Sequence, residues 1–184
     1  MRTPQTRHPI PMKHKNQLAL AAWNLQALSD DYRVAAFLTA HEGGDIHAQV
    51  RALLERLAQG QNAQEQAAAL QERLIDYLWD ASDDDNGEQG ALELLAAVET
   101  LCHDILYGGG RALRRAEQAL DYRLDYLNES TAGGDDNPYP AIIRELREQR
   151  SGLAKAATGG KAPRPTSGGR ESLLALVTVA PPTA

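Results

Sequence analysis

Between Glu88 and Leu127 two apolar-periodic segments meet at the glycine run Gly108, Gly109 and Gly110. In the first, Leu94, Leu95, Val98, Leu101, Cys102, Ile105 and Leu106 recur three and four residues apart, which lines one face of a helix. In the second, Leu113, Ala116, Leu120, Leu124 and Leu127 repeat that spacing. Glycines between two such segments let the chain leave one helix and enter the next. The stretch therefore predicts a helical hairpin with two core-facing stripes.

The rest of the chain points the same way. Of its 184 residues 42% are hydrophobic but only 5% aromatic, and Ala and Leu supply most of the apolar share. Both are strong helix formers, and the β-branched residues that favour sheets are scarce. The expected fold is all-α, a single bundle of about six or seven helices, with a flexible basic arm over 1–15, the bundle over 16–150 and a flexible tail over 151–184.

Within the bundle, Leu18, Leu20, Ala21, Ala22, Trp23, Leu25 and Leu28 suit a helix from Asn16 to about Ser29 that is buried on a broad face. Ser29 or Asp30 is expected to cap a second helix carrying Tyr32, Val34, Ala35, Phe37 and Leu38, which stops at Gly43 and Gly44. A third helix, capped by Asp45 and stopped by Gly60, carries Ile46, Val50, Leu53, Leu54 and Leu57. Asn62 with Glu65 resembles a capping box for a fourth, which is expected to run to about Trp79 and bury Ala69, Leu70, Leu74, Tyr77 and Leu78. A last short helix follows the hairpin from Pro140 to Arg150. The Gly-, Ala-, Lys-, Pro- and Ser-rich remainder lacks the apolar surface to order itself, and ends in an apolar patch over 173–180.

Charge divides this chain sharply. Residues 1–29 carry a net +4 with no acid, residues 30–110 a net −12, and residues 111–184 a net +2. No lysine or arginine occurs between Leu74 and Gly110. A field of that sign repels nucleic acid and attracts basic protein surfaces. The single cysteine excludes an intramolecular disulfide, and the longest apolar run is far below the roughly 20 residues of a spanning helix. No signal-like segment opens the sequence, so a soluble, cytoplasmic protein without membrane association is expected.

Several side-chain groups contain residue types that could carry chemistry. His41, Glu42 and His47 lack zincin spacing, because the histidines are six apart with Gly43 and Gly44 between them. Ser82, Asp84, Asn86, Gly87 and Glu93 fall at the first, third, fifth, sixth and twelfth positions of a stretch that resembles an EF-hand loop. That resemblance implies Asp84, Asn86 and Glu93 as side-chain calcium ligands, although Ser82 replaces the first carboxylate and Gln89 stands where an apolar residue is usual. Cys102 and His103 are neighbours in sequence but point about 100° apart on a helix, which favours a buried structural thiol. Gly108 to Gly110 with Arg111, Arg114 and Arg115 offers an anion site at a helix N-terminus, without the lysine and hydroxyl of a P-loop. The helix, glycine turn and helix from Tyr32 to Leu57 has the outline of a DNA-reading unit, with His47, Gln49, Arg51 and Arg56 on its second helix inside an acidic block.

No group set supports catalysis or a cofactor, so the expected function is binding without enzymatic activity. A regulator, adaptor or inhibitor would dock on a basic protein surface through Asp80, Asp83, Asp84, Asp85 and Glu88. The alternatives are a calcium-responsive sensor using residues 82–93 and a DNA-binding regulator using the basic arm.

Overall fold

The computed structural model describes residues 12–42, 45–81 and 89–130, together with Arg144, Glu145, Glu148, residues 150–152 and Lys155. The fold is all-α, and no strand occurs among the described residues. Six helices are delimited: α1 (Met12–Ser29), α2 (Tyr32–Glu42), α3 (Asp45–Ala58), α4 (Gln64–Ala81), α5 (Ala91–Tyr107) and α6 (Ala112–Ser130). Helical residues between Arg144 and Lys155 belong to a seventh. The expected arm up to residue 11, the acidic stretch 82–88 and residues 156–184 of the expected 151–184 tail lie outside the described residues, while Ser151, Gly152 and Lys155 at the start of that tail are helical.

Helix α1 is the centre of the bundle. It packs on α2, α3, α5 and α6, and Leu18, Leu20, Ala21, Ala22, Trp23, Leu25, Ala27 and Leu28 are all buried. A helix that is apolar nearly all round can only be stable with neighbours on every side. It begins at Met12 rather than Asn16, so the last four residues of the expected arm belong to it. His14 marks the reason: its Nε2 N–H donates to the Asp104 carbonyl at 3.4 Å, tying the first turn to α5.

The α5–α6 hairpin forms as expected, with Leu94, Leu95, Val98, Leu101, Cys102 and Ile105 sharing one core with Ala112, Ala116 and Ala119, and with Leu120 and Leu124 buried as well. Each fully buried leucine contributes about 1.5–3 kcal/mol relative to exposure. Contacts between α4 and α5, and between α1 and α6, complete the layers.

Local details differ from the sequence reading at three places. The cap of α2 is Asp31, whose Oδ1 accepts from the backbone N–H of Arg33 at 3.0 Å and of Val34 at 3.2 Å; Ser29 and Asp30 sit too early for those donors. The first bond of α4 runs from Ala67 N–H to the Ala63 carbonyl, so Asn62 is one residue outside the cap and accepts instead from Gln64 N–H. Ala69 is exposed, because the stripe that α4 buries is Ala67, Leu70, Gln71 and Leu74. At the end of α3 the expected stop holds: Gln61 N–H bonds to the Arg56 carbonyl and Gly60 N–H to the Leu57 carbonyl, a Schellman pattern.

Candidate functional site

The N-terminal end of α5 is held by a buried clamp. Arg123 of α6 is 2% exposed and donates from Nε and Nη2 to Asp31, each at 3.0 Å, and from Nη1 to the Gln89 carbonyl at 2.6 Å. The Tyr126 ring lies 5.4 Å from the guanidinium, within cation–π range. Tyr122 donates its hydroxyl to Gln89 Oε1 at 2.6 Å, so two α6 side chains hold one residue of the turn before α5. Gly90 then fits against the clamp: a Cβ there would lie 3.1 Å from Arg123 Cδ and 3.3 Å from Leu28 Cδ1. This is how the bundle fixes the point where the acidic stretch enters α5.

Glu93, the last position of the EF-hand-like stretch, accepts from Gly90 N–H at 2.9 Å and so caps its own helix. Asp83, Asp84, Asp85, Asn86 and Glu88 lie outside the described residues, and Asp80 falls within α4 with its side chain outside them. No group of three or more potential metal ligands occurs among the described residues.

The opposite end of α5 carries a second polar corner. Asp104 is buried, and its Oδ2 accepts from Ala112 N–H at 2.6 Å, capping α6 from the preceding helix. The carboxylate therefore occupies the helix N-terminus proposed from sequence as an anion site. Arg111, Arg114 and Arg115 remain exposed on that turn. Asp104 Oδ1 and His103 Nδ1 are 3.9 Å apart and are both buried without a hydrogen-bond partner among the described residues. The His103 ring packs on Tyr107 at 5.1 Å, and Tyr107 is 73% exposed.

Between these ends, Leu92, Ala96, Glu99, His103 and Tyr107 follow one another three and four residues apart on the side of α5 away from the core. The first four are half-buried. Cys102 faces the core, where burial pushes the thiol up to about 12 and Glu99 adds to the shift. The thiol is protonated and enclosed, as a structural cysteine is.

The unit from Tyr32 to Leu57 does not present the four side chains together. His47 is buried and donates from Nε2 to the Ser29 carbonyl at 2.9 Å, closing the end of α1. Arg56 is bonded to the Asn62 carbonyl at 3.0 Å, and Arg51 lies 3.7 Å from Asp30. Gln49 reaches back toward Asp45.

Sequence reasoning passed over Asp31, Asp104 and Arg123, and considered His47 for a metal or for DNA but not as the buried partner of Ser29. A signal existed for two of them: Asp104 sits between Leu101 and Ile105, and Arg123 between Leu120 and Leu127, so each is a charge on an apolar stripe. Comparison with protein-family models, with curated proteins and with solved structures finds no match.

Proposed function

We propose that this protein is a non-enzymatic, acidic helical module that docks on the basic surface of a protein partner. The observation that carries this reading is the distribution of cations over the helices. Each of α1, α2, α3, α4 and α6 contains lysine or arginine, whereas α5 contains none, and the cation-free run continues through residues 75–109. In sequence this run holds Asp76, Asp80, Asp83, Asp84, Asp85 and Glu88 before α5, and Glu99 lies on the outward side of α5. An unbroken stretch of one sign steers encounter with the opposite sign and disfavours wrong partners. The Arg123 clamp supports the reading mechanically, since it holds Gln89 and Gly90 rigidly at the end of that stretch.

The test is capture from the source cell's lysate by the full chain, beside a variant with Asp80→Asn, Asp83→Asn, Asp84→Asn, Asp85→Asn and Glu88→Gln. The expected result is a defined protein with a basic surface that is retained by the wild type and lost by the variant, with both chains melting alike. Equal capture by both would remove the acidic stretch from the interface.

A further inference from the structure

We propose that the corner where α5 turns into α6 is a docking surface for single-stranded nucleic acid, formed by Tyr107, Arg111, Arg114 and Arg115 and separate from the acidic surface proposed above. Arg56, Arg73, Arg123 and Arg150 are each hydrogen-bonded within the fold. Arg111, Arg114 and Arg115 differ: all three are exposed, and none has a side-chain hydrogen bond or ion pair among the described residues. They stand three and four residues apart, so three guanidinium groups share one face of one helical turn. Cations at a helix start oppose the dipole, and like charges at this spacing repel, so the grouping lowers stability. A local rule broken without a compensating contact is characteristic of a functional surface.

The site is the cluster of side chains and not the helix terminus, which Asp104 fills from beneath by accepting from Ala112 N–H. Asp104 is 1% exposed, and Glu117 is half-buried one turn further on, so the outer surface here is cationic. Exposed Lys15 adds a cation to the same end of the bundle, because His14 beside it is bonded to the Asp104 carbonyl.

Tyr107 selects the kind of anion. It is the most exposed large apolar side chain among the described residues, and His103 packs against its ring at 5.1 Å with a tilt of 55°. Four residues separate it from Arg111, so their Cα atoms are at most about 14 Å apart. A single strand uses both features, with phosphates on the guanidinium groups and an unpaired base stacked on the ring. An acidic protein segment would engage the arginines and leave the tyrosine idle. The acidic run does not cancel this attraction, since it enters the opposite end of α5, about 25 Å away along the helix. Charges are screened over about 8 Å at physiological salt.

The test is fluorescence anisotropy of the full chain with a labelled mixed-sequence single-stranded DNA of about 12 nucleotides, titrated at several salt concentrations beside labelled polyglutamate of equal length. Arg111→Gln/Arg114→Gln/Arg115→Gln should weaken binding of the DNA at least about tenfold and reduce its log–log salt slope by about 2, the value for three phosphate contacts on a single strand. Tyr107→Leu should weaken it about tenfold with the slope unchanged. Arg51→Gln, beside Asp30 at the far end of the bundle, should leave the slope as it is. Thermal melts accompany each variant, and the triple variant should melt no lower than wild type because it relieves repulsion. Absence of binding by wild type at low salt, or undiminished binding by the triple variant, overturns the proposal. Polyglutamate bound as tightly as the DNA, with no effect of Tyr107→Leu, overturns it in favour of an acidic protein partner.

Discussion

Asp31 and Arg123 stand 92 residues apart in the chain and form a buried, two-point ion pair. Asp31 spends its Oδ1 twice, on the α2 cap and on Arg123, so the start of α2, the middle of α6 and the turn before α5 are fixed by one carboxylate and one guanidinium. Removing either partner breaks a buried ion pair. Arg123→Ala and Asp31→Ala should each cost about 3–5 kcal/mol, and the double variant clearly less than their sum. Urea unfolding of the four proteins measures this, and strict additivity would show that the pair does not couple.

Two glycines touch these polar corners, and their substitutions should rank by what a Cβ would meet. At Gly109 it would lie 2.5 Å from Asp104 Oδ1, a buried atom that cannot retreat without breaking the α6 cap. At Gly108 it would meet nothing within 4 Å, although the φ of +76° still disfavours a side chain. Gly108→Ala should therefore cost about 1–3 kcal/mol from backbone strain alone, because φ +76° with ψ 173° is a region essentially reserved for glycine. Gly109→Ala should cost at least twice that, and thermal melts of the two variants in one buffer decide the order.

Much of the fold was legible because it depends on periodicity. The α5 stripe and the hairpin glycines follow from apolar residues three and four apart, and burial follows from the stripe. What could not be read was which charges the core admits. Asp104 and Arg123 occupy stripe positions where a charge is costly, and only the three-dimensional partners, Ala112 N–H for one and Asp31 for the other, make those positions tolerable. The cap of α2 was placed one or two residues early for a related reason. Ser29, Asp30 and Asp31 are all competent caps, and the choice among them is made by where α1 ends. For the candidate site, the run of acids is plain in the sequence, whereas the clamp that holds Gln89 at its end depends on residues 31 and 123, which only the fold brings together.

Cys102 supplies a pH dependence whose sign is fixed. The folded thiol keeps its proton up to about 12, against 9.0 for the ordinary thiol. Between those values the folded state binds more protons than the unfolded one, so the thiol's contribution to stability declines as pH rises through 9. The slope of unfolding free energy between about pH 8 and 10 should be less negative for Cys102→Ala than for wild type. In the native protein a thiol reagent should react only after denaturant is added.

Calcium should leave the melting temperature unchanged to within about 1 °C. Glu93, the residue that would close the loop bidentately, is already engaged by Gly90 N–H. A melt with and without millimolar calcium tests this. A large upward shift would require Glu93 to exchange its helix-capping bond for the metal.

The proposed recognition of a basic partner by the cation-free stretch around α5 is electrostatic in origin. Its most direct test is the salt dependence of binding, measured for the captured partner with wild type and with the variant neutralised at Asp80, Asp83, Asp84, Asp85 and Glu88. Wild-type affinity should fall steeply between low and physiological salt, while the variant binds weakly with a shallow dependence. Identical slopes for the two proteins would contradict it.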